Sequence, residues 1–368
     1  MTLTDPWQSL KSGNWVKLIC GASFQDLPAI RSLTLAYTLA GADCIDVAAD
    51  PSVINAAKEG LKAAQKLINH DQNQGLSRTW NPWLMVSLND GEDPHFRKAY
   101  FDYQHCPPDC PRPCEKICPA QAITESENGI LGVIDPRCYG CGRCLPVCPS
   151  QLIKTRSHTI SPPEIIPLIQ SMGIEAIEIH TQVGREDQFK QLWQAISPTI
   201  NQLQLLAISC PDSPHLIDYL RYLYQLISPL PCPLIWQTDG RSMSGDIGKG
   251  TTHPAIKLGE KVLNSGIPGF VQLAGGTNHY TVPKLQEMGL LNASKTSNQR
   301  ISGVAYGSYA RSILSPILEQ LENQSMSLNS PLALENYPNL LQQAVKIADS
   351  LVSPLKLEVR SQKSEVRS

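Results

Sequence analysis

The sequence predicts a (β/α)8 barrel with a small cysteine-rich module inserted after its third strand, and three observations carry that expectation. Apolar runs of strand length alternate with segments of helical period along most of the chain, which favours a parallel sheet. Eight of the twelve cysteines are crowded between Cys106 and Cys148, just after the third such run. The length, 368 residues, exceeds a typical single domain yet suits one large barrel carrying an insertion.

The strand candidates are 15–20, 44–48, 84–88, 176–180, 203–209, 234–237, 270–274 and 304–306. Helical spacing falls between them at 27–40, 54–68, 163–171, 186–196, 215–227, 254–263 and 309–321. Eight pairs of this kind define a TIM-type barrel; a doubly wound open sheet would give a similar alternation. The expected organisation is a first barrel part over 1–90, the cysteine module over 91–160 and a second barrel part over 161–325. A C-terminal segment follows over 326–356, with an amphipathic helix at 331–352, and then a disordered tail over 357–368, where Glu-Val-Arg-Ser recurs among few apolar residues.

Composition narrows the function classes. With 42% hydrophobic residues, 17% charged and a net charge of −2, the chain reads as globular, not as a broadly basic nucleic-acid binder. No apolar run reaches the eighteen residues of a membrane span, and residues 1–17 lack the order of a secretory signal, so a cytoplasmic protein is expected. In a reducing compartment a dense cysteine patch points to metal binding before disulfides.

The patch contains two motifs. Cys138-Tyr-Gly-Cys141-Gly-Arg-Cys144-Leu-Pro-Val-Cys148-Pro149 has the C-x2-C-x2-C-x3-C-P spacing of bacterial-type [4Fe–4S] ferredoxins. Three close thiolates wrap one corner of a cubane, and Gly140 and Gly142 let backbone N–H groups approach its sulfides. The earlier motif, Cys106-x3-Cys110-x3-Cys114-x3-Cys118-Pro119, is one residue longer in each of its first two gaps. Its end still parallels the later one: Cys118-Pro-Ala-Gln-Ala-Ile123 against Cys148-Pro-Ser-Gln-Leu-Ile153. That repeat predicts a pseudo-twofold module with two [4Fe–4S] clusters. In such modules the last cysteine of each motif serves the other cluster, which assigns Cys118 to Cys138, Cys141 and Cys144, and Cys148 to Cys106, Cys110 and Cys114. Structural zinc would also use all-cysteine sites, but pairs C-x2-C knuckles instead. A radical-type C-x3-C-x2-C site is missed by one residue. Pro107, Pro108, Pro111 and Pro113 bring no N–H donors to the first motif, so its cluster is expected to be the lower in potential or the more labile.

The barrel mouth offers weaker candidates. Gly275, Gly276 and Thr277 follow the seventh strand, and Gly307, Ser308 and Arg311 follow the eighth, the pair of loops that binds phosphate in many barrels. They are the candidate site for FMN or another phosphate-bearing ligand. The loop Thr238–Gly250 reads as a lid, with Asp239 and Arg241 its best polar groups against a plain solvated loop; it lacks phosphate-loop spacing. Lys17, inside the first strand, is expected to snorkel at the barrel edge before serving as a ligand, and His180 and His253 to be capping or satisfied polar groups.

Taken with Val16-Lys-Leu-Ile-Cys-Gly-Ala-Ser-Phe-Gln-Asp-Leu-Pro28 and Gln237-Thr-Asp-Gly-Arg-Ser-Met-Ser-Gly-Asp246, the long-gap cysteine run makes residues 10–350 resemble the cyanobacterial light-dependent period protein family. The resemblance implies an iron–sulfur protein that reports cellular redox state to the circadian clock input pathway, with clock proteins and an input histidine kinase as partners. Two other classes compete with such a sensor. One is an oxidoreductase whose clusters feed a flavin or phosphorylated ligand at the mouth; the other is a simple electron carrier on a barrel scaffold.

Overall fold

The computed structural model describes residues 5–72, 81–93, 96–118, 120–125, 131–157, 162–241, 248–291, 299–328 and 333–365. Helix α1 (Pro6–Ser12) leads into β1 (Trp15–Gly21), α2 (Leu27–Ala40), β2 (Cys44–Ala48), α3 (Pro51–Gln72) and β3 (Trp83–Asn89). The cysteine module follows, with β4 (Arg97–Tyr100), α4 (Pro113–Ile117), β5 (Ile123–Glu125), β6 (Leu131–Val133), α5 (Cys144–Val147) and β7 (Lys154–Ser157). Then α6 (Pro162–Ser171), β8 (Ala176–His180), α7 (Glu186–Ile196), β9 (Leu205–Pro211), α8 (Leu216–Ile227) and β10 (Leu234–Asp239) resume the alternation. The chain ends with α9 (Thr252–Leu263), β11 (Phe270–Ala274), α10 (Thr281–Glu287), β12 (Gly303–Tyr306), α11 (Ser308–Leu328) and α12 (Pro338–Glu365).

β1, β2, β3, β8, β9, β10, β11 and β12 close into a parallel barrel in that order, β12 returning to β1. The predicted TIM-type barrel is therefore the fold, and the module interrupts it between β3 and β8. Local chemistry sets the element ends. The Asp26 carboxylate caps α2 by accepting from the Ala29 N–H at 3.2 Å, and Gly41 ends that helix in the left-handed region at φ 97°. A 3-10 turn over Ser197–Gln202 takes up the residues before β9, so the strand starts two positions later than its apolar text suggests. α1 and α10, each of seven residues, and the two antiparallel ribbons β4–β7 and β5–β6 were not anticipated; all are too short for period to reveal. The C-terminal helix runs from Pro338 to Glu365, displaced from the expected 331–352, and the side chains of 357–368 lie outside the described residues.

One end of the barrel interior is apolar. Trp15, Cys44, Met85, Ala176, Leu205, Ala207 and Ile235 pack there, and α1 plugs the end with Leu10 and with Trp7, whose ring meets Phe270 edge-on at 5.8 Å. α12 packs on α2 and α11 and buries Lys356 against Asp43 at 2.5 Å. The module sits on the opposite side, on the loop after β1 and on α2 and α11. Lys98 of β4, almost fully buried, donates to Gln25 Oε1 at 2.6 Å and to the Asp135 carbonyl at 2.8 Å; Gln25 N–H in turn reaches the Pro136 carbonyl at 2.9 Å. Tyr139 packs edge-on against Phe24 at 5.8 Å.

Candidate metal centre

The internal repeat is visible in the backbone. α4 and α5 are both single turns, and each ends on a cysteine with nearly the same geometry: Cys118 at φ −73°, ψ 110° and Cys148 at φ −72°, ψ 112°. Three residues on, Gln121 and Gln151 take left-handed φ of 47° and 51°, and their N–H groups close onto the Cys118 and Cys148 carbonyls at 3.2 and 3.1 Å. Pro119 lies outside the described residues. Gly140 and Gly142 also have positive φ, 69° and 76°, which a side chain would resist, so the Cys138–Cys144 loop needs its glycines to wind tightly.

The eight thiols fall into two groups, each mixing the motifs. Cys118, Cys138, Cys141 and Cys144 line one shared cavity of about 420 Å³, which includes space open to solvent, together with Ala99, Ala122, Ile123 and Tyr139. Burial, with the neighbouring thiols Cys141, Cys138 and Cys118, pushes Cys144 up to about 12. On the other side Cys106 has Cys110 and Cys148 as electrostatic neighbours, and Cys114 has Cys148 and Cys110. Against its burial, the backbone N–H groups of Leu152, Ile153, Ser150 and Gln151 hold Cys148 below the usual thiol range. The Cys118 and Cys138 sulfurs accept from the Ala122 and Ala99 N–H groups at 3.2 and 3.3 Å.

This donor set fits a polynuclear cluster. Among the described residues no three His, Cys, Asp or Glu side chains close on one point as a single ion requires. Four thiols around an apolar cavity, with backbone N–H groups aimed at sulfur, match instead the separated corners of an iron–sulfur cubane.

Below the module the barrel interior is polar. Lys17 does not snorkel; it is fully buried, paired with Glu178 and with Asp46 Oδ2 at 3.2 Å. Ser87 holds Asp46 at 2.8 Å, Gln237 holds Glu178 at 2.5 Å, Gln272 reaches Gln237 at 2.6 Å, and Trp15 reaches Gln272 at 2.6 Å. His180 ends β8 with Nε2 at 3.0 Å from Glu178 and its ring edge-on to Phe96 at 5.3 Å. Despite burial, Glu178 holds the His180 imidazolium up to about 9. Burial lifts Asp46 to about 6 against the pull of Lys17, while Lys17 and His180 hold Glu178 well below the carboxylate range. Asp46, Glu178, Gln237 and Gln272 were missed in the sequence, although each breaks an apolar strand at an inward position.

The phosphate candidates lie on the loops after β11 and β12. The Thr277 hydroxyl donates to the Ala305 carbonyl, and a side chain at Gly275 would strike Asp239 Oδ1 at 2.3 Å. A side chain at Gly276 would strike the Thr251 carbonyl at 2.5 Å, so both glycines serve the packing of this loop against the one after β10. Gly307 and Ser308 lead into α11, where Arg311 donates to the Ile19 carbonyl at 2.8 Å and to Ser308 Oγ at 3.1 Å. Asp239 is buried and Arg241 exposed; 242–247 of the expected lid lie outside the described residues, and His253 is exposed.

A parallel barrel with a thiol-lined module docked on it defines an iron–sulfur protein on a TIM-type scaffold. Two family models match: the light dependent period A Fe-S cluster-binding domain over residues 106–159 and the light dependent period A C-terminal domain over 168–354. Light dependent period A from Synechococcus elongatus is 50% identical over 98% of this chain and 96% of its own length. The chain belongs to the light dependent period A family. The chain is also similar to the thiosulfate reductase electron transfer subunit PhsB of Salmonella typhi, 40% identical over 25% of this chain and 45% of that protein. Tryptophan synthase from M. tuberculosis has a TM-score of 0.38 at 11% identity, covering 94% of this chain and 97% of that one. The barrel assignment rests on the closed strand order, not on that likeness. The family's C-terminal domain model begins after the module, yet the barrel takes its first three strands from before it. Among the described residues no helix is long and apolar enough to cross a membrane.

Proposed function

We propose that the protein carries two [4Fe–4S] clusters and acts in the cytoplasm as a redox sensor feeding the circadian clock input pathway. The observation that carries this reading is the sorting of eight thiols into two groups of four, each with three cysteines from one motif and one from the other. Cys118, Cys138, Cys141 and Cys144 hold one cluster; Cys106, Cys110, Cys114 and Cys148 hold the second. Each cluster supplies a reversible one-electron couple. The chain's own part is to keep the thiols apart, exclude water with Ala99, Ala122, Ile123 and Tyr139, and fix the module to the barrel through Lys98. Family membership supports the circadian role, and clock and input-pathway proteins, including an input histidine kinase, are the partners this reading proposes.

A sensor must bind its partner differently in its two states. Capture of clock and input-kinase proteins on anaerobic, dithionite-reduced protein and on air-free oxidised protein should therefore differ in yield. Equal recovery would remove the sensing role.

A further inference from the structure

Among the described residues, Arg311 is a buried cation with no ion-pair partner. Its side chain is 8% exposed, and its guanidinium bonds only neutral groups: the Ile19 carbonyl at 2.8 Å, Ser308 Oγ at 3.1 Å and the face of Tyr139 at 4.1 Å. Its Nε has no hydrogen-bond partner among the described residues. Three carboxylates share the crevice it lines, and each is taken up elsewhere. Glu319 accepts from Gln121 at 2.9 Å and Ser315 at 3.2 Å, Glu322 faces Arg137 at 3.3 Å, and Asp26 caps α2 and faces Arg137 at 3.5 Å. A buried charge without compensation is costly. Tyr139 also lines the cavity of Cys118, Cys138, Cys141 and Cys144, and a cluster held by those thiolates is a strongly anionic centre.

We propose that Arg311 is the counter-charge of the cluster held by Cys118, Cys138, Cys141 and Cys144, and passes its redox state to α11. The inference rests on the two-cluster reading. One-electron reduction adds a single negative charge with no bond made or broken, the electron coming from a one-electron donor such as dithionite. Arg311 is then drawn more tightly toward Tyr139. Its other two bonds tie it to the end of β1 and the first residue of α11, and α11 also carries Glu319 and Glu322, which grip the module through Gln121 and Arg137. Arg311 is thus a positioning residue that links a charge change to a helix.

The test uses the full chain, purified without oxygen as wild type, Arg311→Lys and Arg311→Gln. Iron and sulfide content come first; a wild type without clusters would sink the two-cluster reading itself. With content intact, redox titration followed by electron paramagnetic resonance reads each cluster. Arg311→Gln should leave one cluster unchanged and lower the reduced-to-oxidised ratio of the other roughly tenfold at a fixed potential. Arg311→Lys should restore most of that ratio. Amide exchange reports the helix: the Arg311 N–H, bonded to the Gly307 carbonyl at 3.1 Å, should gain protection on reduction in wild type and lose that gain in both variants. Unchanged potentials in Arg311→Gln overturn the proposal. Should that variant fail to assemble, equal exchange at residues 307–315 in reduced and oxidised wild type overturns it as well.

Discussion

Gln121 and Gln151 occupy the same left-handed turn thirty positions apart, each closing its N–H onto the carbonyl of the cysteine three residues before it. This relation makes the two motifs halves of one pseudo-symmetric unit despite their different cysteine gaps.

The proposed crosswise ligation has a direct consequence for single cysteine variants. Cys118→Ser should remove the same paramagnetic signal as Cys138→Ser, and Cys148→Ser the same signal as Cys106→Ser, each leaving about four irons. Loss of one signal by Cys118→Ser and Cys106→Ser together would assign the clusters motif by motif instead.

Docking of the module depends on Lys98 more than on the exposed pairs. Lys98 is buried and bridges Gln25 of the barrel loop to Asp135 of the module. Lys98→Met strands the Asp135 carbonyl and the Gln25 amide, a cost of about 2–3 kcal/mol. Limited proteolysis should then cut within 96–157 while the remaining barrel stays resistant.

The barrel network sets a pH dependence. His180 rises from the usual 6.5 to about 9 in the folded state, so its contribution is fully present below pH 6.5 and is lost as pH climbs through about 9. Urea unfolding should show stability falling across that window by roughly 1–3 kcal/mol, and His180→Asn should flatten the fall.

Lys17→Met removes the cation between two buried carboxylates. Destabilisation of about 3–5 kcal/mol is expected, because Asp46 and Glu178 are left to repel each other out of water. Converting Glu178 to Gln in the same chain should return part of that loss.

The parts of the molecule that follow a period or a spacing were legible in the sequence. The barrel strands were, because apolar runs such as Cys44–Ala48 and Ala176–His180 are both periodic and long enough. The cysteine spacing named the chemistry. What escaped is chemistry that only closure of the barrel assembles. Asp46 and Glu178 each look like an isolated charge in an apolar strand, and nothing local says that Lys17 will pair with both while His180 pairs with Glu178. Arg311 shows the same limit: beside Ser308 and two glycine-bearing loops it reads as a phosphate ligand, and nothing local says that the module, inserted far earlier in the chain, sets the Tyr139 ring 4.1 Å from its guanidinium.

The metal content of the intact chain is the most direct test of the two clusters. Anaerobic purification, iron and sulfide assay, and low-temperature electron paramagnetic resonance before and after dithionite should give about eight irons with matching sulfide, and two interacting cubane signals on reduction. Zinc in place of iron, or about four irons with a single signal, would contradict the two-cluster reading.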